Sequence, residues 1–159
     1  MTVSLTPITE SDREIVERQL GRPPRGARAV AARDSAGEPA VVITNPRLED
    51  GTPFPTLYYL TSPRLVAPVS TLESEGRMRE MTDRLAEEPE LAERYRHAHS
   101  CYLADRDAIE PLGTDVSAGG MPDRVKCLHV HVAHSLAVGP GVNPFGDEAL
   151  EEIARRWSL

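Results

Sequence analysis

All five histidines and both cysteines of the chain lie in one stretch, between His97 and His134. They form two groups: His97, His99 and Cys101 in the first, and Cys127, His129, His131 and His134 in the second. Cysteine and histidine are preferred ligands of zinc, and both also serve in acid–base and nucleophilic catalysis. The stretch therefore indicates a Cys/His site that binds a metal, catalyses a reaction, or does both.

The second group lies on a predicted helix over residues 124–138, for which Asp123 is a suitable N-cap. Successive helical residues are about 100° apart, so Cys127, His131 and His134 lie on one narrow face of this helix. Three such side chains on one face form part of a metal site, which a fourth side chain or a water molecule completes. Zinc is the first candidate for the metal.

A second arrangement uses the two histidines that lie at the apolar stripes of their helices, His99 and His129. If these helices pack together, the two imidazoles meet as a buried neutral pair. Such a pair can act as general acid and base or as metal ligands. The two arrangements do not exclude each other.

Other interpretations of the same residues remain open. Leu128, Val130 and Val132 alternate with the cysteine and two histidines of the second group, a pattern that also fits a strand. Histidines on an apolar face are often hydrogen-bonded core residues, and a buried cysteine often packs as a small hydrophobic side chain. In that case the Cys/His residues are structural, and the chain is a binding or regulatory module.

The rest of the chain predicts a small α+β domain spanning residues 1–159. Thr9 and Asp12 form a capping box for a first helix, which Gly21 ends, and Gly139-Pro140 ends the helix over residues 124–138. A hairpin and a third strand are predicted over residues 27–32, 40–44 and 56–61. We therefore expect a three-stranded antiparallel sheet from the N-terminal third of the chain, packed with about six helices.

Composition excludes several classes of protein. The 159 residues include 18 basic and 25 acidic side chains, for a net charge of −7, which argues against nucleic-acid binding. No apolar run approaches the roughly 20 residues of a membrane span. The first seven residues lack the basic and apolar regions of a signal peptide, and two cysteines are too few for a disulfide framework. We expect a cytoplasmic protein whose partner is a small molecule or another protein.

Two segments together resemble the signature of a bacterial family, the domain of unknown function numbered 501. They are Lys126-Cys127-Leu128-His129-Val130-His131-Val132-Ala133-His134, and Asn143-Pro144-Phe145-Gly146. Pro53-Phe54-Pro55-Thr56-Leu57-Tyr58 and Leu72-Glu73-Ser74-Glu75-Gly76 are also similar to its motifs. The resemblance implies that Cys127, His129 and His134 matter most. It names no reaction, and it suggests a link to envelope or division physiology.

Together, these observations predict a Cys/His site centred on the helix over residues 124–138, where hydrolysis is either metal-assisted or mediated by histidine. His129 or His134 is the expected base, and Cys127 the expected metal ligand or nucleophile. The expected metal ligands are Cys127, His131 and His134. The alternative is a non-enzymatic binding or regulatory module, linked to envelope or division physiology, in which these residues are structural.

Overall fold

A computed structural model describes residues 5–159, so the segment considered for a signal peptide lies partly outside the described residues. Within them the elements, in chain order, are β1 (Thr6–Pro7), α1 (Glu10–Leu20), β2 (Ala27–Arg33), β3 (Pro39–Thr44), β4 (Tyr58–Leu60), α2 (Pro63–Ser74), α3 (Arg77–Glu87), α4 (Pro89–Ile109), α5 (Leu128–Val138) and α6 (Pro144–Trp157). The α+β class and the six helices are confirmed. None of the helices in this part of the chain is long and apolar enough to cross a membrane.

The sheet has four antiparallel strands in the order β1-β2-β3-β4, not the three predicted. The strand missed is β1, which pairs Thr6 with Val30 and Pro7 with Ala29. Two residues are too short a segment to show a strand periodicity. The predicted β2–β3 hairpin is confirmed, and the Asp34 carboxylate accepts backbone N–H bonds from Ala36 and Glu38 at its turn.

Both faces of the sheet are covered, which explains why all six residues of β3 are buried. Val41 and Ile43 point into the main core, and Val42 points to the opposite face, where it packs with Val16 of α1. The capping box of Thr9 and Asp12 holds the start of α1 as predicted. The continuous apolar sequence of β3 is typical of a strand that is buried on both faces.

Helix α5 is the central helix of the main core and packs mainly against β4 and α6. Nine of its eleven residues are buried, including His131 and His134. The amphipathic helix expected from sequence is therefore buried on nearly all sides. It ends at Gly139 as predicted, in a conformation with positive φ that favours glycine.

The start of α5 differs from the prediction. Its N-cap is Cys127, not Asp123, and residues 123–127 precede the helix. The N–H group of Val125 donates to the Thr82 hydroxyl, and that of Lys126 donates to the carbonyl of Gly119. These bonds hold the segment in a turn, and they place Cys127 at the helix N-terminus instead of on its face.

The loop before α5 is anchored by Arg106, a fully buried arginine of α4. Its guanidinium donates to the backbone carbonyls of Thr114 and Val116. His99, about two turns earlier on α4, hydrogen-bonds through Nδ1 to Ser117 Oγ at 2.8 Å. Through these bonds α4 determines the path of the chain that leads to Cys127.

We expect Gly146→Ala to destabilise the protein by about 2 kcal/mol or more. A Cβ at Gly146 would lie 2.1 Å from the His131 carbonyl oxygen and 2.2 Å from Ser135 Oγ, so α6 would have to move away from α5. This cost exceeds the roughly 1 kcal/mol that alanine gains in helix propensity. Urea denaturation measures it. Glu151→Ala, an exposed control on α6, should change stability by less than about 0.5 kcal/mol; an equally small effect of Gly146→Ala would contradict the close contact.

Candidate metal centre

Three potential ligands from two helices meet at the N-terminus of α5. Glu73 lies near the end of α2, Cys127 is the N-cap of α5, and His129 lies in its first turn. One ligand atom from each side chain lies within 4.8 Å of the others. His129 Nδ1 and Glu73 Oε2 are 3.2 Å apart. The group therefore brings together sulfur, nitrogen and oxygen donors.

Neighbouring groups orient these side chains. The backbone N–H of Leu128 donates to Glu73 Oε2 at 2.9 Å, and Ser70 Oγ lies 3.3 Å from His129 Nε2. Ser70 and Glu73 are three residues apart on α2 and so lie on the same helix face. The packing of α2 against α5 thus determines the geometry of the group.

The surroundings of Cys127 lower the pKa of its thiol. Burial raises the pKa of Cys127, but the His129 side chain and the backbone N–H of Val130 outweigh burial and lower it overall. The interaction with Cys127 raises the pKa of His129 and, with help from Glu73, outweighs the opposing effect of burial. A thiolate is the form of cysteine that binds metals and attacks electrophiles.

The donor set fits zinc. Catalytic zinc sites commonly use three protein ligands from cysteine, histidine and carboxylate side chains and keep one position open. The Nδ1 atom of His129 faces Glu73, while Nε2 contacts Ser70. A metal-bound histidine is oriented in the same way, by a hydrogen bond at its second ring nitrogen.

A cavity of about 610 Å³ opens beside the group. Cys127 and His129 form part of its wall, and most of the remaining wall is apolar. The other lining residues come from the end of α1, from residues 56–61, from α2 and from α5: Gln19, Leu20, Thr56, Tyr58, Tyr59, Leu60, Thr61, Pro63, Val66, Ala67 and Val130. The size is typical of sites for small molecules.

The structure places His131 and His134 elsewhere, although they were predicted as ligands together with Cys127. Both are fully buried, and both accept a hydrogen bond at Nδ1 from the amide nitrogen of Asn143, at 3.0 and 3.2 Å. The Asn143 side-chain oxygen accepts from the backbone N–H of Gly146, which fixes the orientation of the amide. The Cys127 thiol is grouped with Glu73 and His129 instead.

Both buried histidines are neutral in this network. Each accepts at Nδ1, so each carries its proton on Nε2. The Nε2 atom of His131 lies 3.0 Å from the Tyr95 hydroxyl, whereas that of His134 has no hydrogen-bond partner within residues 5–159. Burial lowers the pKa of His131 to about 4 and that of His134 to about 3.

The first Cys/His group does not join the site. His97 is exposed and lies 3.5 Å from the Cys101 thiol on the same face of α4. His99 contacts Ser117, whereas His129 contacts Glu73 and Ser70, so the predicted pair of His99 and His129 is not formed. Helix α4 contacts α5 instead through Tyr95, whose ring lies against His131, and Tyr102, whose ring lies against His134.

Sequence reasoning missed Glu73 and Ser70 as members of the site. Glu73 lies in one of the segments that resemble the family motifs. The sequence alone does not distinguish a glutamate that belongs to a site from a solvent-exposed glutamate near a helix end. Only the packing of α2 on α5 brings it to Cys127, and no spacing rule connects residues so far apart in sequence.

The chain matches the family described as Protein of unknown function (DUF501) over residues 30–151. This match includes Glu73, Cys127, His129 and the Asn143 network. No curated protein and no solved structure matches the chain.

Proposed function

The chain belongs to the DUF501 family, and we propose that it binds one divalent transition metal, zinc first, through Glu73, Cys127 and His129. We further propose that it hydrolyses a small molecule held in the adjoining cavity. This ligand set replaces the set of Cys127, His131 and His134 expected from sequence. A cytoplasmic location is part of the proposal, because both cysteines are free thiols and thiols stay reduced there.

The observation that carries the proposal is the convergence of three different donor atoms within 4.8 Å at the wall of a cavity. Without a metal, the carboxylate and the imidazole hydrogen-bond to each other. A cation placed between them takes over the role of that shared proton. Its binding is also favoured by the fixed orientation of Glu73, whose carboxylate already accepts the Leu128 N–H.

When bound in a site of this kind, zinc supplies Lewis acidity and activates water near neutral pH. The residues of the chain have simpler roles. Glu73, Cys127 and His129 hold the cation, and Ser70 keeps the His129 ring in place. The apolar side chains of the cavity wall exclude bulk water, which strengthens electrostatic interactions with a bound substrate.

We expect the untagged protein, purified without chelator, to contain about one zinc per chain, and Cys127→Ser to retain less than about a tenth of it. The serine hydroxyl is not ionised near neutral pH and is a far weaker zinc ligand than a thiolate. Elemental mass spectrometry measures the metal content. Glu73→Gln should also lower it, because an amide oxygen carries no charge.

Cys101→Ser is the matched control, since Cys101 lies beside His97 outside the site and should keep the full metal content. Far-ultraviolet circular dichroism tests whether each variant is folded. If Cys127→Ser unfolds, cobalt replacement in the unmodified protein provides a second test, because a thiolate ligand gives an intense charge-transfer band. A folded protein without metal and without this band would contradict the proposal. A binding or regulatory module would then become the better hypothesis.

A further inference from the structure

A second cavity, of about 410 Å³, adjoins the site cavity. Leu20, at the end of α1, and Tyr59 belong to the walls of both cavities, so the two cavities lie side by side; together they are called the groove below. The second cavity is lined mainly by apolar side chains of the sheet and of the loop before β4, among them Val42, Leu48 and Phe54. The groove is therefore apolar over most of its length.

Two arginines, Arg22 and Arg25, line the second cavity, whereas Cys127 and His129 line only the first. Arg22 donates to the Tyr59 hydroxyl at 3.2 Å, which keeps its guanidinium at the border between the two cavities. Within residues 5–159 neither arginine has a carboxylate oxygen within 4.0 Å, whereas Arg33, Arg77, Arg84 and Arg156 all form close ion pairs. The two arginines concentrate positive charge on a chain of net charge −7, and the Asp50 carboxylate near Arg25 offsets part of it.

We propose that the groove binds a linear anionic amphiphile, with its anionic group at Arg22 and Arg25 and its apolar chain along Leu20 and Tyr59. The opposite end of the molecule then reaches Cys127 and His129. The inference rests on the proposed function, for which it names the substrate class: a compound with an apolar chain between a carboxylate or phosphate and a hydrolysable group. Charge complementarity selects the anion, and the apolar walls select the chain.

The test measures the binding of dodecanoate to the full chain by isothermal titration calorimetry, in the presence of a chelator and below the micelle concentration. Metal-free protein is used so that the carboxylate cannot bind through the metal. We expect dodecanoate to bind, and dodecyltrimethylammonium, which has the same chain and the opposite charge, to bind at least about tenfold more weakly. The double variant Arg22→Gln/Arg25→Gln should weaken dodecanoate binding by a similar factor.

Arg94→Gln/Arg155→Gln is the matched control, since it removes the same charge from exposed positions on α4 and α6 outside the groove. It should leave dodecanoate binding nearly unchanged. The inference is overturned if dodecanoate does not bind, if the cationic amphiphile binds as tightly, or if the two double variants have equal effects. If the protein binds zinc but does not bind dodecanoate, only this inference is overturned. If dodecanoate binding depends on the two arginines but the purified protein contains no metal, the proposed metal-dependent hydrolysis is overturned and the groove remains a ligand-binding site.

Discussion

Asn143→Ala is expected to lower the free energy of unfolding by about 3 kcal/mol or more. The Asn143 amide donates to His131 and His134 and accepts from the N–H of Gly146, so one substitution removes three buried hydrogen bonds. Each buried Nδ1 atom left without a partner costs about 1–3 kcal/mol, and the loss of the cap of α6 costs about 1 kcal/mol more. Urea denaturation monitored by circular dichroism measures the change.

Two variants separate these contributions. Asn143→Ser retains a short side-chain oxygen for the cap but cannot donate to both histidines, so its loss of stability should lie between those of the wild type and Asn143→Ala. Asn45→Ala removes a single exposed bond from Arg28 and should cost less than about 1 kcal/mol. If Asn143→Ala cost no more than Asn45→Ala, the buried amide would not hold α5 and α6 together.

The second large effect is a loss of stability in mild acid. His131 and His134 have pKa values of about 4 and about 3 in the folded chain, below the usual 6.5. The unfolded chain therefore binds protons at a higher pH than the folded chain. Stability is complete above the unfolded value and falls as the pH drops from 6.5 toward the folded values. As the pH falls from about 8 to about 5, each of the two histidines should lower the free energy of unfolding by about 2 kcal/mol.

Two ion-paired carboxylates act below this pH range. Ion pairing with arginine lowers the pKa of Asp12 and of Glu152 to about 2, so their contribution to stability is lost only at lower pH. His99 acts in the same direction as the buried pair, since burial lowers its pKa, and His129 acts in the opposite direction. A comparison of variants in chelator isolates the buried histidines.

His134→Leu should reduce the loss of stability between about pH 8 and about pH 5 by about 2 kcal/mol. Its absolute stability at neutral pH is not the readout, because the substitution also changes packing and the bond to Asn143. His97→Gln, an exposed control on α4, should retain the full pH dependence. If both variants had the wild-type dependence, His134 would not be buried and neutral in the folded chain.

Local signals in the sequence predicted the elements that depend on neighbouring residues. The capping box of α1, the hairpin turn at Asp34 and the end of α5 at Gly139 are all determined within a few residues of the chain. The predicted start of α5 was wrong because Asp123 matches the sequence pattern of an N-cap. Distant bonds to Thr82 and Gly119 keep the following residues out of the helix.

The candidate site was predicted in part for the same reason. Two of its three ligands, Cys127 and His129, lie in the Cys/His stretch that the sequence singles out. The third, Glu73, comes from a different helix, and only tertiary packing brings it to them. Helical spacing grouped Cys127 with His131 and His134 because it assumed that the cysteine lies within the helix.

Helix α5 and its N-cap contain two sets of residues with different roles. Cys127, its N-cap, and His129, in its first turn, belong to the candidate metal centre, whereas His131 and His134 contact Asn143 in the core. A homologue without the first two residues is therefore expected to fold in the same way but to lack the candidate metal centre. A homologue that lost the inner histidines or Asn143 would need a compensating change in its core. Residues 127 and 129 therefore indicate whether a homologue keeps the candidate metal centre, and residues 131, 134 and 143 indicate whether it keeps the packing of α5 on α6.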